Sequence, residues 1–489
     1  MLRMTSIAVV LVFLVTVVAC SGGPVSTSSA NTTRGGSSSP SDPSARGAIS
    51  IFPGSEILRT GGQRRFSGWD STVGQYDVTW SLQEGAAAGT ITTDGVYTAP
   101  LTPGTFHLIA TSSHNTGLSA TAPLTIVSVG FAAVDDMPVP RSGHTATLLA
   151  DGKVLVAGGT TDKSHSADLF DPTASSFVPT TGAMIYTRTG HCAALLPTGR
   201  VLIAGGEDSN GTLFKTAEVF DPATGTFTAT GDLNQFRAGA TATPLANGKV
   251  LIAGGQDNGG ALVSSAELYD PSTGTFSLTG NMQTARAQHT ATLLSDGKVL
   301  LIGSTNPAGS AEIFDPASGH FSATGSLVQA RAHHTATLLP GGKVLVLGGT
   351  QIAPPGGGGA PPAPVSLDSV EIYDPLSGTF QTAGKLLAAR DSHSATLLSS
   401  GMVLVAGGYT HDFDGDAQPQ WYTMFTAELF DPVISASTAV ASLEGDRAEH
   451  VATILNNGQV LVTGGISGFF CCSFKPYGGV SLSSAELYK

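Results

Sequence analysis

Apolar positions along the chain follow three patterns in succession. One continuous run, Ile7 to Ala19, stands behind a single basic residue, Arg3. Between Ala48 and Val127 short β-rich runs alternate with turn residues: Ile49–Ile51, Tyr76–Leu82, Gly95–Tyr97, Phe106–Thr111 and Ala122–Val127. There Trp80 alternates with Val78 and Leu82, which directs it toward a core. This spacing predicts a β-sandwich of about 80 residues. From Arg141 onward one pattern is written seven times. Arg141-Ser142-Gly143-His144-Thr145-Ala146-Thr147 leads to Val154-Leu155-Val156-Ala157-Gly158-Gly159, then to Ala167-Asp168-Leu169-Phe170-Asp171-Pro172 and Phe177. The restarts fall at Arg188, Arg237, Arg286, Arg331, Arg390 and Arg447, a mean period of 51 residues. Each repeat predicts four short strands. The Gly-Gly pairs end the second of them, where a positive φ suits only glycine cheaply.

Four strands, a Gly-Gly doublet and a period near 50 resemble the Kelch repeat, one blade of a propeller. The resemblance covers residues 129–489 and implies an all-β fold: a seven-bladed Kelch β-propeller, related to the galactose-oxidase central domain, preceded by the sandwich. The Trp common late in a Kelch unit is Phe here, at Phe177, Phe227, Phe276, Phe321 and Phe380, and the sixth repeat has neither. Repeat seven reaches Lys489 after its third strand. Phe131 precedes Arg141 by ten residues, the same step that separates Phe227 from Arg237 and Phe380 from Arg390. The strand around Phe131 is therefore expected to complete the last blade and remove an open sheet edge.

The short apolar run is too brief to span a bilayer and reads as a secretory signal. Its end, Val17-Val18-Ala19-Cys20, resembles the lipobox of bacterial lipoproteins and implies lipid on Cys20 and an extracytoplasmic, membrane-anchored address; the alternative is a secreted protein with an ordinary signal. Residues 21–47 contain 20 Ser, Thr, Gly or Pro among 27 and are expected to form a disordered tether. Within residues 48–128, Val78-Thr79-Trp80-Ser81 and Asp94-Gly95-Val96-Tyr97 resemble bacterial Ig-like (Big-type) domains, which implies a spacer.

Charge changes the picture by exclusion. The net charge of -13 argues against nucleic acid and against a basic patch for anionic lipids. Membrane contact is then expected only through the anchor. Charged residues are 12% of the chain, which excludes a coiled coil.

Two rings of polar residues accompany the repeats. One is His144, His191, His289, His334, His393 and His450, with Ala240 in the third repeat. The other is Arg141, Arg188, Arg237, Arg286, Arg331, Arg390 and Arg447, faced by Asp168, Glu218, Glu267, Glu312, Glu371, Glu428 and Glu486. They could form a charged mouth for an anionic or sugar ligand. The favoured reading is structural: a feature repeated in every blade pairs with its own or the next blade. The Asp-Pro pairs at Asp171, Asp221, Asp270, Asp315, Asp374 and Asp431 read as turns.

Function is sought where the repeats differ. The loop between strands two and three is long in blade five (Thr350 to Leu367), blade six (Tyr409 to Phe425) and blade seven (Ile466 to Leu482). Trp421, Tyr422, Phe469, Phe470 and Tyr477 are the candidate ligand face. Asp412, Asp414 and Asp416 alternate as in a calcium loop, although the closing acid is absent. Cys471 and Cys472 are adjacent and could form a strained vicinal disulfide in an oxidising compartment. Cys192 replaces a Thr in a first strand and is expected as a packed thiol.

The predicted function is a non-enzymatic, monomeric binding protein whose ligand is a glycan or a protein, with no cofactor beyond a weak calcium candidate. A carbohydrate-active enzyme is the alternative. Sugar isomerisation, as in Kelch-type sialate mutarotases, would need an acid, a base and an Arg in the mouth and no linear motif. A galactose-oxidase-like copper site would need a Tyr crosslinked to a Cys, and no Tyr is evidently placed to meet Cys192, so copper is not expected.

Overall fold

The computed structural model describes residues 49–159, 165–304, 309–352, 364–412, 420–471 and 479–489. The signal segment, Cys20 and the tether lie outside the described residues.

Residues 49–127 form a β-unit of three sheets. The largest has the order Glu56–Arg59, Ser119–Val127, Gly104–Ser112, Val78–Leu82, its first two strands running parallel. Leu58, Phe66, Tyr97, Leu108, Ala110, Leu124 and Ile126 fill one core, with Trp80 packed against it half-buried. Four strands were not foreseen: Glu56–Arg59, Gln63–Arg65, Ser67–Asp70 and Thr90–Ile91. They carry few apolar residues, and Arg64 occupies a buried position in an otherwise exposed strand, so hydrophobic alternation misses them.

The rest is a propeller of seven four-stranded antiparallel sheets. Blade one comprises Thr145–Leu148, Val154–Ala157, Ala167–Asp171 and Ser176–Pro179. First strands of successive blades lie side by side, and Val451–Ile454 of blade seven returns against Thr145–Leu148, closing the ring. The fourth strand of blade seven is Phe131–Ala133, antiparallel to Ala485–Tyr488 with Phe131 opposite Tyr488.

The sequence explains this layering. All seven second strands are buried at every position. Covered on both faces by neighbouring blades, they read as continuous Val-Leu-Val runs instead of alternating ones. At the outer strands an aromatic of strand three faces one of strand four. Phe170–Phe177, Phe220–Phe227, Tyr269–Phe276, Phe314–Phe321, Tyr373–Phe380 and the closing pair Phe131–Tyr488 have ring centroids 4.8–5.0 Å apart. Blade six differs: Phe430 stands opposite Ser437. On the far face, the Asp of each Asp-Pro pair accepts the backbone N–H two residues on, at 2.8–3.0 Å, which fixes the turn between strands three and four.

Candidate functional site at the channel mouth

The seven ring arginines are at most 2% exposed. Each guanidinium donates to the carbonyl of the first glycine of its own blade's Gly doublet (Gly303 of Gly-Ser in blade four) at 2.7–3.0 Å. It also meets the carboxylate of its own blade. Arg141 meets Asp168, and the other six pairs span 2.6–3.1 Å. The Arg carbonyl in turn accepts the N–H that ends the preceding blade's second strand, from Gly159 to Arg188 round to Gly465 to Arg141. Burial pulls Arg188, Arg237, Arg331 and Arg390 down, and their glutamates pull them back. These groups are staples within and between blades. The charged mouth that the ring could have formed is not there, because every guanidinium is enclosed and neutralised.

Blade one shows how closely the staple is fitted. In the other six blades the second carboxylate oxygen accepts a backbone N–H three residues before the Arg, as from Ile185, Asn234, Gln283, Val328, Leu387 and Glu444. The corresponding residue in blade one is Pro138, which has no N–H, and the acid is the shorter Asp168. Its Oδ1 is buried without a hydrogen-bond partner, and burial pushes its carboxyl above the usual range.

The six ring histidines are buried as well. Five meet, through Nε2, the hydroxyl that follows the ring position in the preceding blade: Thr145, Thr241, Thr290, Thr335 and Ser394, at 2.8–3.1 Å. His144 finds Thr463 at 2.9 Å, because blade seven has Val451 at the usual place and Thr463 lies opposite it. Blade three has Ala240 in place of His, and the residue that would have served it, Cys192, has no hydroxyl. Both halves of one inter-blade pair are thus replaced together. The Cys192 thiol is buried and pushed up to about 12. Burial and the adjacent arginines hold His144, His191, His289 and His450 at about 3, and His334 and His393 well below the usual imidazole value. The ring is therefore neutral and structural.

Asymmetry begins one residue earlier. The position before each ring histidine, or before Ala240, has φ between 50° and 65° in all seven blades. In blades one to three it is Gly143, Gly190 and Gly239; in blades four to seven it is Gln288, His333, Ser392 and Glu449. Backbone bonds run round this rim, Gly190 to Gly143, Gly239 to Gly190, His333 to Gln288, Ser392 to His333 and Glu449 to Ser392, at 2.8–3.3 Å. At this position blades one to three present only backbone, and blades four to seven carry four different polar side chains. Aligning the seven repeats position by position would have found them; attention to the invariant positions passed over them.

The long loops stand beside this half. In blade five Thr350–Ile352 pairs with Pro364–Ser366. In blade six Tyr409–Asp412 pairs with Gln420–Thr423, and Phe469–Cys471 of blade seven adds to that hairpin's edge. Trp421 thereby lies between His411 and Phe470 in the register, and Tyr422 between Thr410 and Phe469. Asp446 accepts hydroxyls from Thr423 of blade six and Ser467 of blade seven. At the foot of the wall, Ser366 Oγ lies 2.7 Å from Asp391 Oδ2 and 2.5 Å from His411 Nδ1, and His411 Nδ1 lies 3.2 Å from Asp391. Hydroxyl and carboxylate converge on the same ring nitrogen. A nucleophile relay places them on opposite nitrogens, so this group orients the imidazole and does not activate Ser366. Tyr409 donates to Glu449 at 3.4 Å. Although Glu449 is open to solvent, protein surrounds it, and desolvation together with the Asp391 charge raises its carboxyl against the pull of the Tyr409 hydroxyl.

Asp414, Asp416, Cys472 and Tyr477 lie outside the described residues, as do the side chains of Asp412, Trp421, Phe469, Phe470 and Cys471. Loop aromatics also occur elsewhere: in blade two, Tyr186 and Phe214 pack at 5.3 Å beside Arg188, and Lys215 lies over Phe236.

The N-terminal β-unit reaches the base of the same wall. Arg64 lies 4.1 Å from the ring centroid of Phe425, at the end of the blade-six loop, and donates to the carbonyls of Leu443 and Glu444. Glu56 sits 3.5 Å from the Arg64 guanidinium, and Ser442 N–H donates to Ile57 O at 2.9 Å.

The fold is that of an all-β, seven-bladed propeller, and part of it is similar to Kelch repeats. Residues 143–349 match the family model of the KLHDC2/KLHL20/DRC7 Kelch-repeats domain. No curated protein matches the chain. A fungal alcohol oxidase of the AA5 family, solved in complex with copper, is similar in structure, with a TM-score of 0.56 and 16% identity over 74% of this chain and 76% of that one. The structure of YjhT aligns with a TM-score of 0.49 and 16% identity over 63% of this chain and 99% of that one. Identity this low speaks to fold alone. Among the described residues no group of three or more His, Cys, Asp or Glu is arranged to hold a metal ion.

Proposed function

We propose that this chain is a surface-anchored, non-enzymatic binding protein that takes a glycan or protein ligand on the loop-bearing face of its propeller. The observation that carries this reading is the wall joined by main-chain hydrogen bonds across blades six and seven, beside the half of the mouth where the left-handed rim position carries side chains instead of glycine. A ring of identical blades offers an asymmetric ligand no preferred side, and this is where the symmetry breaks. In the same proposal Cys20 carries lipid, residues 21–47 are the tether and residues 48–128 form an Ig-like spacer. A glycan array probed with the intact chain, repeated after residues 353–363, 411–421 or 469–478 are each replaced by a Gly-Ser turn, tests it. Binding lost with melting intact in at least one trimmed protein is the expected result. Normal binding by all three places the site elsewhere.

A further inference from the structure

We infer that Gln288, His333, Ser392 and Glu449 are the specificity-determining residues of this face, and that they recognise an uncharged, hydroxyl-rich saccharide. The inference rests on the binding reading above and narrows it. The backbone does not call for these side chains. Gly143, Gly190 and Gly239 hold the same positive φ in blades one to three and take part in the same rim of hydrogen bonds, and glycine adopts that conformation without the clash a Cβ brings. Yet four consecutive blades place an amide, an imidazole, a hydroxyl and a carboxyl there, all on the side of the loop wall. Residues held in the left-handed region without a backbone need concentrate at ligand sites.

The chemistry of the four groups selects the ligand. An amide and a hydroxyl both donate and accept, and a neutral imidazole does each through a different nitrogen. Burial keeps His333 toward its neutral form. Such a mixture matches neighbouring hydroxyls, which also donate and accept. Among the described residues an anion finds no unpaired cation here. Arg286, Arg331, Arg390 and Arg447 are committed to Glu312, Glu371, Glu428 and Glu486. Lys385 faces Asp368. Among the described residues Asp391, Asp446 and Glu449 crowd carboxyl groups on this half, which disfavours carboxylate, sulfate and phosphate. Tyr422 on the wall, partly exposed, supplies aromatic surface, which suits the apolar face of a sugar ring.

The test uses the full chain and two sets of probes: cellohexaose, mannohexaose and xylohexaose as neutral saccharides, and hexagalacturonate and a heparin hexasaccharide as acidic ones. At least one neutral probe should bind, with every acidic probe tenfold weaker or more. The combined variant Gln288→Gly, His333→Gly, Ser392→Gly, Glu449→Gly should melt at or above the wild-type temperature and lose at least tenfold in affinity. If it melts lower, the set His333→Asn and Glu449→Asn, which tolerates positive φ, is read in its place against the same threshold. Preference for an acidic probe, or affinity within twofold of wild type in the variant that folds, overturns the inference and leaves glycan binding standing. Binding to no glycan overturns both this and the glycan reading.

Discussion

Six buried histidines make the propeller sensitive to acid at the level of single residues. Their folded pKa values lie near 3 or well below normal, against about 6.5 in an unfolded chain. The unfolded state takes up protons that the folded state refuses, so the stabilisation is complete above about pH 6.5 and drains away as pH falls toward 3. Each contributes up to about 1.4 kcal/mol per pH unit. The carboxyls of Glu56, Asp168, Glu444 and Glu449 are pushed up and act in the opposite sense, from their ordinary carboxylate range upward. Melting temperature measured between pH 7 and 5 should therefore fall steeply, and His334→Gln should flatten the slope. The Cys192–Ala240 gap offers a second measurement. Cys192→Thr with Ala240→His should show a favourable coupling of about 1 kcal/mol in a double-mutant cycle; purely additive effects would mean that the hydroxyl–imidazole contact does not form there. Arg286→Ala leaves Glu312 charged and enclosed, and should cost about 3–5 kcal/mol in denaturant unfolding.

Strands and their pairs are the scale at which sequence and structure agree best, for a physical reason. Each predicted strand rests on four to six consecutive residues, such as Val154–Ala157, and each blade on a meander of neighbours in the chain, so local pattern is enough. The phase of Phe131 could be read because the partner positions Phe227 and Phe380 repeat it. The mouth was less legible. The setting of Arg141 and His144 includes a glycine N–H and a hydroxyl contributed by another blade, and Ser366, Asp391 and His411 meet only after blades five and six are assembled. Arg64 sits in a strand with no hydrophobic period at all. One element invites repair: Ser437 stands where all six other blades carry Phe opposite an aromatic. Ser437→Phe should add an aromatic pair with Phe430 and raise stability by about 1 kcal/mol; a lower melting point would show that blade six has no room for the ring.

For the whole molecule, the contact through Arg64 decides how the N-terminal unit behaves. A buried guanidinium donating to two carbonyls of the propeller and lying beside Phe425 couples the unit to the blade-six loop. Calorimetry of residues 48–489 should show one transition, and Arg64→Ala should split it into two. Two transitions in the wild type would mean that the contact carries no cooperativity.

The seam between Phe131 and Tyr488 also sets an order of assembly. Partners 357 residues apart in sequence must meet before the ring is continuous, whereas every other blade is built from its own neighbours. During synthesis, or passage of an unfolded chain across a membrane, six blades can stack as an open arc while the seventh waits for its last residues to emerge. Until then Phe131–Ala133 has no partner strand and the first face of blade one is uncovered. Folding of this propeller should therefore be limited by the arrival of its end, with long-range closure as the slow step, and the half-made arc is the species that a chaperone would have to protect.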